Sequence, residues 1–433
     1  MIAIHVAFLA LFDLGHAPRV FLGLLAAAFV AYGWAVLRLE AHVGAAMSLV
    51  VAAVLRLLVL PIPPTLSDDI LRYQWDGRVA MAGKNPYLLA PEAAELTPLR
   101  DALWHSMPHK DVPSVYPPGA LGLFSIASRA PQPAWAIKIL LTIADLVGCW
   151  LLLRLAAARG APPGRALWYA WNPLVVLEIA GMGHIDGLMV PAMIATVWLL
   201  VRTRTRVRPR LAGAAAAFGV LVKLVPLVAL PMWARQSRSP LRFSIAAGVV
   251  IGVVLAPVVV STAGVPLGLV TYGVSWEFDG PLYEPLWRGI DAVDLDLWVK
   301  GRLDALKQQT GWHQQLNHLY PWVYPQLLAK LMLAALLAVL FGVSLRIRDP
   351  VRGSRWLFGA LIVCSATVYP WYLLWVLPWA ALERDRAWLV LSATIGLSYL
   401  PQTSSVALMP WTYLAIWSPP LLVSWITRRW SSN

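Results

Sequence analysis

The sequence predicts an all-α, polytopic membrane bundle, and three observations carry that prediction. Of its 433 residues, 59% are hydrophobic and only 13% charged, against roughly 25% charged in soluble chains. Apolar runs recur from end to end, at the roughly 20 residues that one span requires. The 23 Trp and 13 Tyr supply amphipathic rings that favour membrane–water interfaces. No soluble domain of ordinary size interrupts this pattern, so residues 1–433 read as one transmembrane unit. A net charge of +13 could mark a nucleic-acid binder, but the Lys and Arg gather in short connectors between spans, as in cytoplasmic loops. No nucleic-acid partner is therefore expected, and membrane lipids are. Cys149 and Cys364 fall inside apolar runs, which supports neither a disulfide nor a thiolate metal site.

The elements follow in order. The opening stretch MIAIHVAFLALFDLGHAPR has no basic leader and no Ala-x-Ala site, so residues 2–15 read as a retained first span. Spans at 19–37 and 44–62 precede a first long loop, 63–133. There DDILRYQWDGRVAMAG places Ile70, Tyr73, Gly77 and Ala80 or Met81 at helical spacing, an amphipathic helix on the membrane interface. KNPY turns the chain, and SVYPPG at 114–119 marks re-entry. Further spans are expected at 134–154, 166–183, 185–201 and 243–262. A second long loop, 263–325, precedes those at 326–345, 356–369, 371–382, 387–400 and 408–427. The total is about 12 spans. Basic connectors at 154–165, 202–210, 235–242 and 346–355, with the tail Arg428–Arg429, define a cytoplasmic side with both termini inside. Both long loops then share the opposite face.

Residues 211–234, LAGAAAAFGVLVKLVPLVALPMWA, have basic connectors on both sides. They must cross an even number of times, which makes them a hairpin broken near Lys223 and Pro226, since Pro removes a helix donor. A Lys at that depth survives when buried in protein or lining a polar cavity. The alternative is one long span with a snorkelling Lys223.

Polar groups collect on the loop side. Asp68 and Asp69 follow directly on an apolar run. They either cap the helix they begin, share a proton as a tunable base, or ligate a hard cation. His184 and Asp186 occupy the turn GMGHIDG, which is either a solvated connection or a phosphate-binding one. In the second loop, Trp276, Tyr283 and Trp287 alternate with Glu277, Asp279 and Arg288. Such aromatic faces suit sugar rings, or serve as interface belts. No Walker loop, dinucleotide glycine motif, zinc-ligand spacing or repeat is visible.

The acidic pair after an early span, GKNPY, the YPP re-entry, WNPLVVLEIAGMGHIDGL, VKLVPLVALP and YPWYLLWVLP together resemble the membrane glycosyltransferases of the C superfamily. They look most like bacterial polyprenol-phosphate-mannose-dependent mannosyltransferases of family 87 and its neighbours. The resemblance covers residues 60–382, with Ile185 and Asp279 where family members more often carry Asn. It implies a glycosyltransferase-C-like bundle in a bacterial cytoplasmic membrane, with its site on the extracytoplasmic face. Asp69 matches the family's catalytic base, with Asp68 tuning it. The resemblance also implies that Arg72, His184 and Lys223 take the donor phosphate, and that Tyr73, Asp186, Trp276, Glu277, Asp279 and Tyr372 face sugar or acceptor. The donor would be a polyprenyl-phosphate sugar, the acceptor a glycolipid or polysaccharide, and transfer would invert the anomeric carbon. No cofactor is expected, and a divalent metal stays open. The competing readings are a polyprenyl-linked sugar transporter or flippase, and a catalytically silent lipid-sugar binder.

Overall fold

The structure, a computed structural model, describes residues 1–11, 13–202, 208–400 and 410–431, with side chains to Thr427. Most of the basic connector 202–210, the side chains of the tail arginines and the first residues of the last expected span therefore lie outside the described residues. The chain runs α1 (Ile2–Leu11), α2 (Pro18–Leu39), α3 (Ala45–Val59). The first long loop follows, with α4 (Asp69–Met81), α5 (Ala102–Ser106) and α6 (Pro118–Ala127). Next come α7 (Pro133–Ala158), α8 (Leu167–Ala170), α9 (Pro173–Val176), α10 (Asp186–Val201), α11 (Arg208–Val222), α12 (Leu230–Gln236) and α13 (Pro240–Ser261). The second long loop carries α14 (Leu267–Ser275), α15 (Tyr283–Ala292), α16 (Leu295–Thr310) and α17 (His313–Asn317). The chain closes with α18 (Pro325–Ser344), α19 (Pro350–Val363), α20 (Leu377–Glu383), α21 (Arg386–Thr394) and α22 (Trp411–Ser431). The described residues form no strand, only isolated bridges between Phe278–Asp279 and Thr367.

Among the described residues four helices, α2, α7, α13 and α18, are long and apolar enough to cross a bilayer. Much of the remaining apolar sequence forms shorter helices and three hairpins. In the first, Pro173 opens α9 behind Asn172, whose side chain accepts from the Leu174 amide. A π turn over Leu177–Gly181 then leads to Asp186, where α10 begins. In the second, α11 stops at Val222, a 3₁₀ turn covers Val225–Ala229, and α12 returns. A Cβ on Gly219 would meet Pro226 at 3.3 Å, so the two arms are folded together, as the charge parity around 211–234 requires. In the third, α19 ends at Val363, and a 3₁₀ turn over Pro370–Trp375 leads back through α20.

The feet of the hairpins are tied together by ion pairs. Glu40, at the foot of α2, meets Arg165 at 2.7 Å and Arg384 at 2.8 Å. Arg159 meets Asp349 at 2.6 Å, and Arg355 bridges Glu383 and Asp385. This is the basic end, and the tips point to the loop end. Midway between them a pair enclosed on all sides, Arg56 on α3 and Asp145 on α7, is completed by the Tyr169 hydroxyl, which donates to Asp145 at 2.8 Å. The sequence reading passed over both charges because each sits alone in an apolar run.

Helix α4 departs from the expected interfacial helix with one buried face. Tyr73 and Gly77 pack towards α6 and Ile70 lies against Gly183, while Trp75 and Val79 join Leu96 and Met107 in a small core beneath the first loop. Of the alternatives Ala80 and Met81, Ala80 is half-buried and Met81 is exposed. Both faces of α4 are covered, which fixes the position of the acidic pair at its start.

Candidate active site

Asp68 stands at the N-cap of α4 and Asp69 in its first turn, yet Asp68 makes no side-chain capping bond. The Asp69 amide is served by the Ser67 hydroxyl instead, at 3.3 Å, which leaves both carboxylates for other work. Burial, reinforced by the Asp69 charge and opposed by His109, raises the Asp68 carboxyl above the ordinary carboxylate range. Asp68 therefore binds a proton more tightly than a lone, solvated acid would. The Tyr73 hydroxyl donates to Asp69 at 3.4 Å and accepts from the Ile185 amide at 3.4 Å, linking α4 to the tip of the first hairpin. The Tyr73 ring is locked by a parallel stack on Phe124, 4.5 Å between centroids, and an edge contact with Tyr116 at 5.0 Å.

The second hairpin contributes Lys223, immediately after α11. Its ammonium meets both Asp186 oxygens, at 3.0 and 2.9 Å, and Asp186 also accepts from the Trp375 indole at 2.6 Å. The sequence reading gave Lys223 no protein carboxylate and looked to a lipid phosphate. The structure supplies Asp186, completely buried, as its partner. Lys223 also lies 4.8 Å from the Tyr372 ring centroid and 5.2 Å from that of Trp375, in favourable cation–π range. One residue from each of the three tips, Asp186, Lys223 and Trp375, is thus joined in one cluster.

Aromatic rings wall the remaining side. The hydroxyls of Tyr372 and Tyr272 are hydrogen-bonded, Tyr272 leans on Trp276 at 5.2 Å, and Trp276 meets His109 at 4.7 Å. Burial, with Asp69 contributing, raises the Tyr73, Tyr116 and Tyr272 phenols, so Asp69 sits within electrostatic reach of the wall.

The other expected residues are placed elsewhere. Arg72 is spent inside the first loop, on Asp76 at 2.8 Å and on the carbonyls of His109 and Val112. Glu277 pairs with Lys330 at 2.8 Å, and Asp279 lies in left-handed backbone, φ 51°, beside Thr367. Burial and the nearby Glu284 push the Asp279 carboxyl up to about 6. Tyr283 is buried in a satellite core, and Trp287 and Arg288 both bond Glu284. Of the second loop's aromatic set, only Trp276 reaches the site. Among the described residues no group of three or more His, Cys, Asp or Glu is arranged to hold a metal ion.

His184 is enclosed rather than solvated. Its Nδ1 lies 3.1 Å from both the Glu178 main-chain oxygen and Glu178 Oε2, and its ring stacks on Trp371 at 3.9 Å. Glu178, His109, Tyr272, Trp375 and Tyr399 were missed by sequence reasoning. For Glu178 a signal existed, a lone carboxylate six residues before a His in an otherwise apolar run.

An all-helical, polytopic membrane protein with a polar site built from hairpin tips and a loop carboxylate is the class these features define. A family model described as alpha-(1->6)-mannopyranosyltransferase, N-terminal domain, matches residues 3–237, and the chain belongs to that family. It is 29% identical over 175 residues to alpha-(1->6)-mannopyranosyltransferase A of Corynebacterium glutamicum. That match covers 39% of this chain and 34% of the relative, so the chain aligns with about a third of the relative's length. No solved structure matches the chain significantly.

Proposed function

We propose that the protein is a membrane mannosyltransferase. It moves mannose from a polyprenyl-phosphate donor to a mannose hydroxyl of a glycolipid or polysaccharide, at the membrane face opposite the basic end. The observation that carries this reading is the place of Asp69: a carboxylate at the start of a helix held on both faces, beside Tyr73 and the cluster of tips. The name of the Corynebacterium glutamicum relative supports mannose and the alpha-(1->6) linkage.

Asp69 accepts the proton of the acceptor hydroxyl as its oxygen attacks the anomeric carbon. The bond from that carbon to the phosphate oxygen breaks with its electron pair on the phosphate. One displacement inverts the centre, giving an alpha product from a beta-linked donor. Asp68, which holds its own proton more tightly, adjusts the basicity of its neighbour. The aromatic wall of Tyr272, Trp276 and Tyr372 offers faces to the sugar, and Lys223 with Asp186 holds the tips at fixed separation.

The test is transfer from radiolabelled polyprenyl-phosphate mannose to a mannose oligosaccharide by purified protein, with the product anomer read by NMR. Wild-type protein should form the alpha product. Asp69→Asn, which keeps the shape but accepts no proton, should lower turnover by about a hundredfold or more. Near-wild-type turnover in Asp69→Asn would sink the assignment of the base.

A further inference from the structure

Glu178 is completely buried, and its side chain has no Lys or Arg at ion-pair distance among the described residues. A carboxylate so placed must find a counter-charge or remain protonated. Oε1 accepts from the Tyr399 hydroxyl at 2.6 Å, and Oε2 lies 3.1 Å from His184 Nδ1. The Nδ1 proton is aligned on the Glu178 main-chain oxygen, so Oε2 acts on it by charge rather than as a bonded acceptor.

The backbone that creates this arrangement is unusual. Over Leu177–Gly181 the helix widens to a π turn, with the Met182 amide bonded to the Leu177 oxygen and the His184 amide to the Glu178 oxygen. Single π turns inside helices recur at functional positions, and this one brings Glu178 under its own sixth neighbour.

Both acceptors beside Nδ1 fix the proton there and leave Nε2 as the variable atom. Nε2 is buried and has no partner. Trp371 stacks on the face of the ring, nearly parallel at 15°. That face contact favours a cation and leaves the ring edge to another partner.

The groups facing His184 are mixed in sign. From α4 the Tyr73 hydroxyl reaches the Ile185 amide and carries Asp69 at 3.4 Å on its other side. Tyr369 and Trp371 come from the third hairpin, and Tyr399 from the segment after α21. Asp186 in the same turn is neutralised by Lys223. Lys138 of α7 lies against Gly183, where a Cβ would meet its Cγ at 3.0 Å. The Lys138 ammonium has the Leu60 and Ile62 carbonyls as partners. An ammonium there would oppose an imidazolium, and the Glu178 carboxylate would counter it.

We propose that Glu178 is a positioning residue that keeps His184 in the imidazolium form, so that Nε2–H is donated to the phosphate oxygen of the departing polyprenyl phosphate. This rests on the transferase reading above and adds to it the source of the charge on His184. The balance is simple. The acceptor proton goes to Asp69, the electron pair of the broken bond goes to the phosphate, and His184 gives a hydrogen bond without giving up its proton.

The experiment is the pH dependence of turnover with radiolabelled polyprenyl-phosphate mannose, for wild type, Glu178→Gln and Glu178→Asp, with Asp69→Asn in parallel. Wild-type turnover should fall on the alkaline side as His184 loses its proton. Glu178→Gln removes the countering charge, so that fall should move about one pH unit lower, with kcat reduced about tenfold or more at neutral pH. Glu178→Asp keeps a retracted charge, and its profile should lie between the two. If Glu178→Gln does not accumulate as folded protein, Glu178→Asp carries the test alone. An alkaline limb at the wild-type position in a folded variant, or no such limb in the wild type, overturns the proposal. A purely structural Glu178 would reduce yield without moving the limb. An active Asp69→Asn would instead remove the base assignment, whatever the Glu178 variants do.

Discussion

At the scale of single residues, the Asp186–Lys223 pair has the sharpest consequence. Asp186 is fully enclosed, so Lys223→Met would leave a buried carboxylate whose remaining partner is the Trp375 indole. Loss of one member of such a pair is expected to cost about 3 kcal/mol or more. Lys223→Met/Asp186→Asn should recover most of that, because a neutral amide can still accept from Trp375. Thermal melts of the wild type and these two variants in detergent decide this: a double variant no more stable than Lys223→Met alone would mean that the pair is not what holds the tips. Asp279 offers a second test, through pH. Its carboxyl is pushed up to about 6, above its value in an unfolded chain. Between the two values the folded state holds a proton that the unfolded state does not. Stability from this group is therefore present at low pH and is lost as pH rises through about 6. Asp279→Asn should flatten that decline in the melting profile, and an unchanged slope would remove Asp279 as its source.

Among elements, the seat of α4 on α6 controls the site more than any polar contact does. A Cβ on Gly77 would lie 2.4 Å from the Phe124 carbonyl oxygen and 2.5 Å from Ser128 Oγ, distances that backbone cannot yield without the helices parting. Gly77→Ala should destabilise by about 1–3 kcal/mol, displace Tyr73 and Asp69 together, and abolish most transfer. Gly122→Ala on α6, with open space around it, should do neither, and equal losses in both variants would refute the explanation. The long apolar helices were legible in the sequence because span length is a property of the local run. The broken hairpin at 211–234 was legible too, but through the parity of charges on either side. The run 166–183 was read as one plain span, because a π turn leaves no mark in hydropathy, and 371–382 was read as a span from its first residue, although a 3₁₀ turn occupies it as far as Trp375. Asp69, Lys223 and Asp186 stood out as charges near apolar runs. Their mutual contacts did not, since the pairing of residues 186, 223 and 375 depends on how three hairpins meet. Arg72 was read as free for a ligand because its partners, Asp76 apart, are main-chain carbonyls that no side-chain pattern reveals.

For the whole molecule, the proposed reaction requires both long loops to share one side. Asp111 and Gly311 are exposed in the first and second loops, and Arg238 is exposed at the basic end. Cysteines placed at Asp111 and Gly311 should react with an impermeant thiol reagent added to intact cells, and one at Arg238 should react only after the membrane is opened. The opposite pattern would put the site on the other face. The native cysteines, both buried, should contribute little background. The unequal heights of the helices carry one further consequence. The arms α10, α11 and α19 have 16, 15 and 14 residues, or about 21–24 Å at 1.5 Å per residue, while α7 with 26 residues extends about 39 Å. A hydrocarbon layer about 30 Å thick is therefore overspanned by the tall helix and underspanned by the hairpins. With the basic ends of these helices level with one membrane face, arms this short place the tips below the opposite headgroup plane, at the bottom of a dish. For the proposed polyprenyl-phosphate donor, the isoprenoid tail would not have to be lifted out of the bilayer for its phosphate to reach the site, whereas a hydrophilic acceptor would have to descend. Bilayer thickness thus becomes a variable of the reaction: a thicker membrane deepens the descent for the acceptor, and a thinner one brings the dish level with the water.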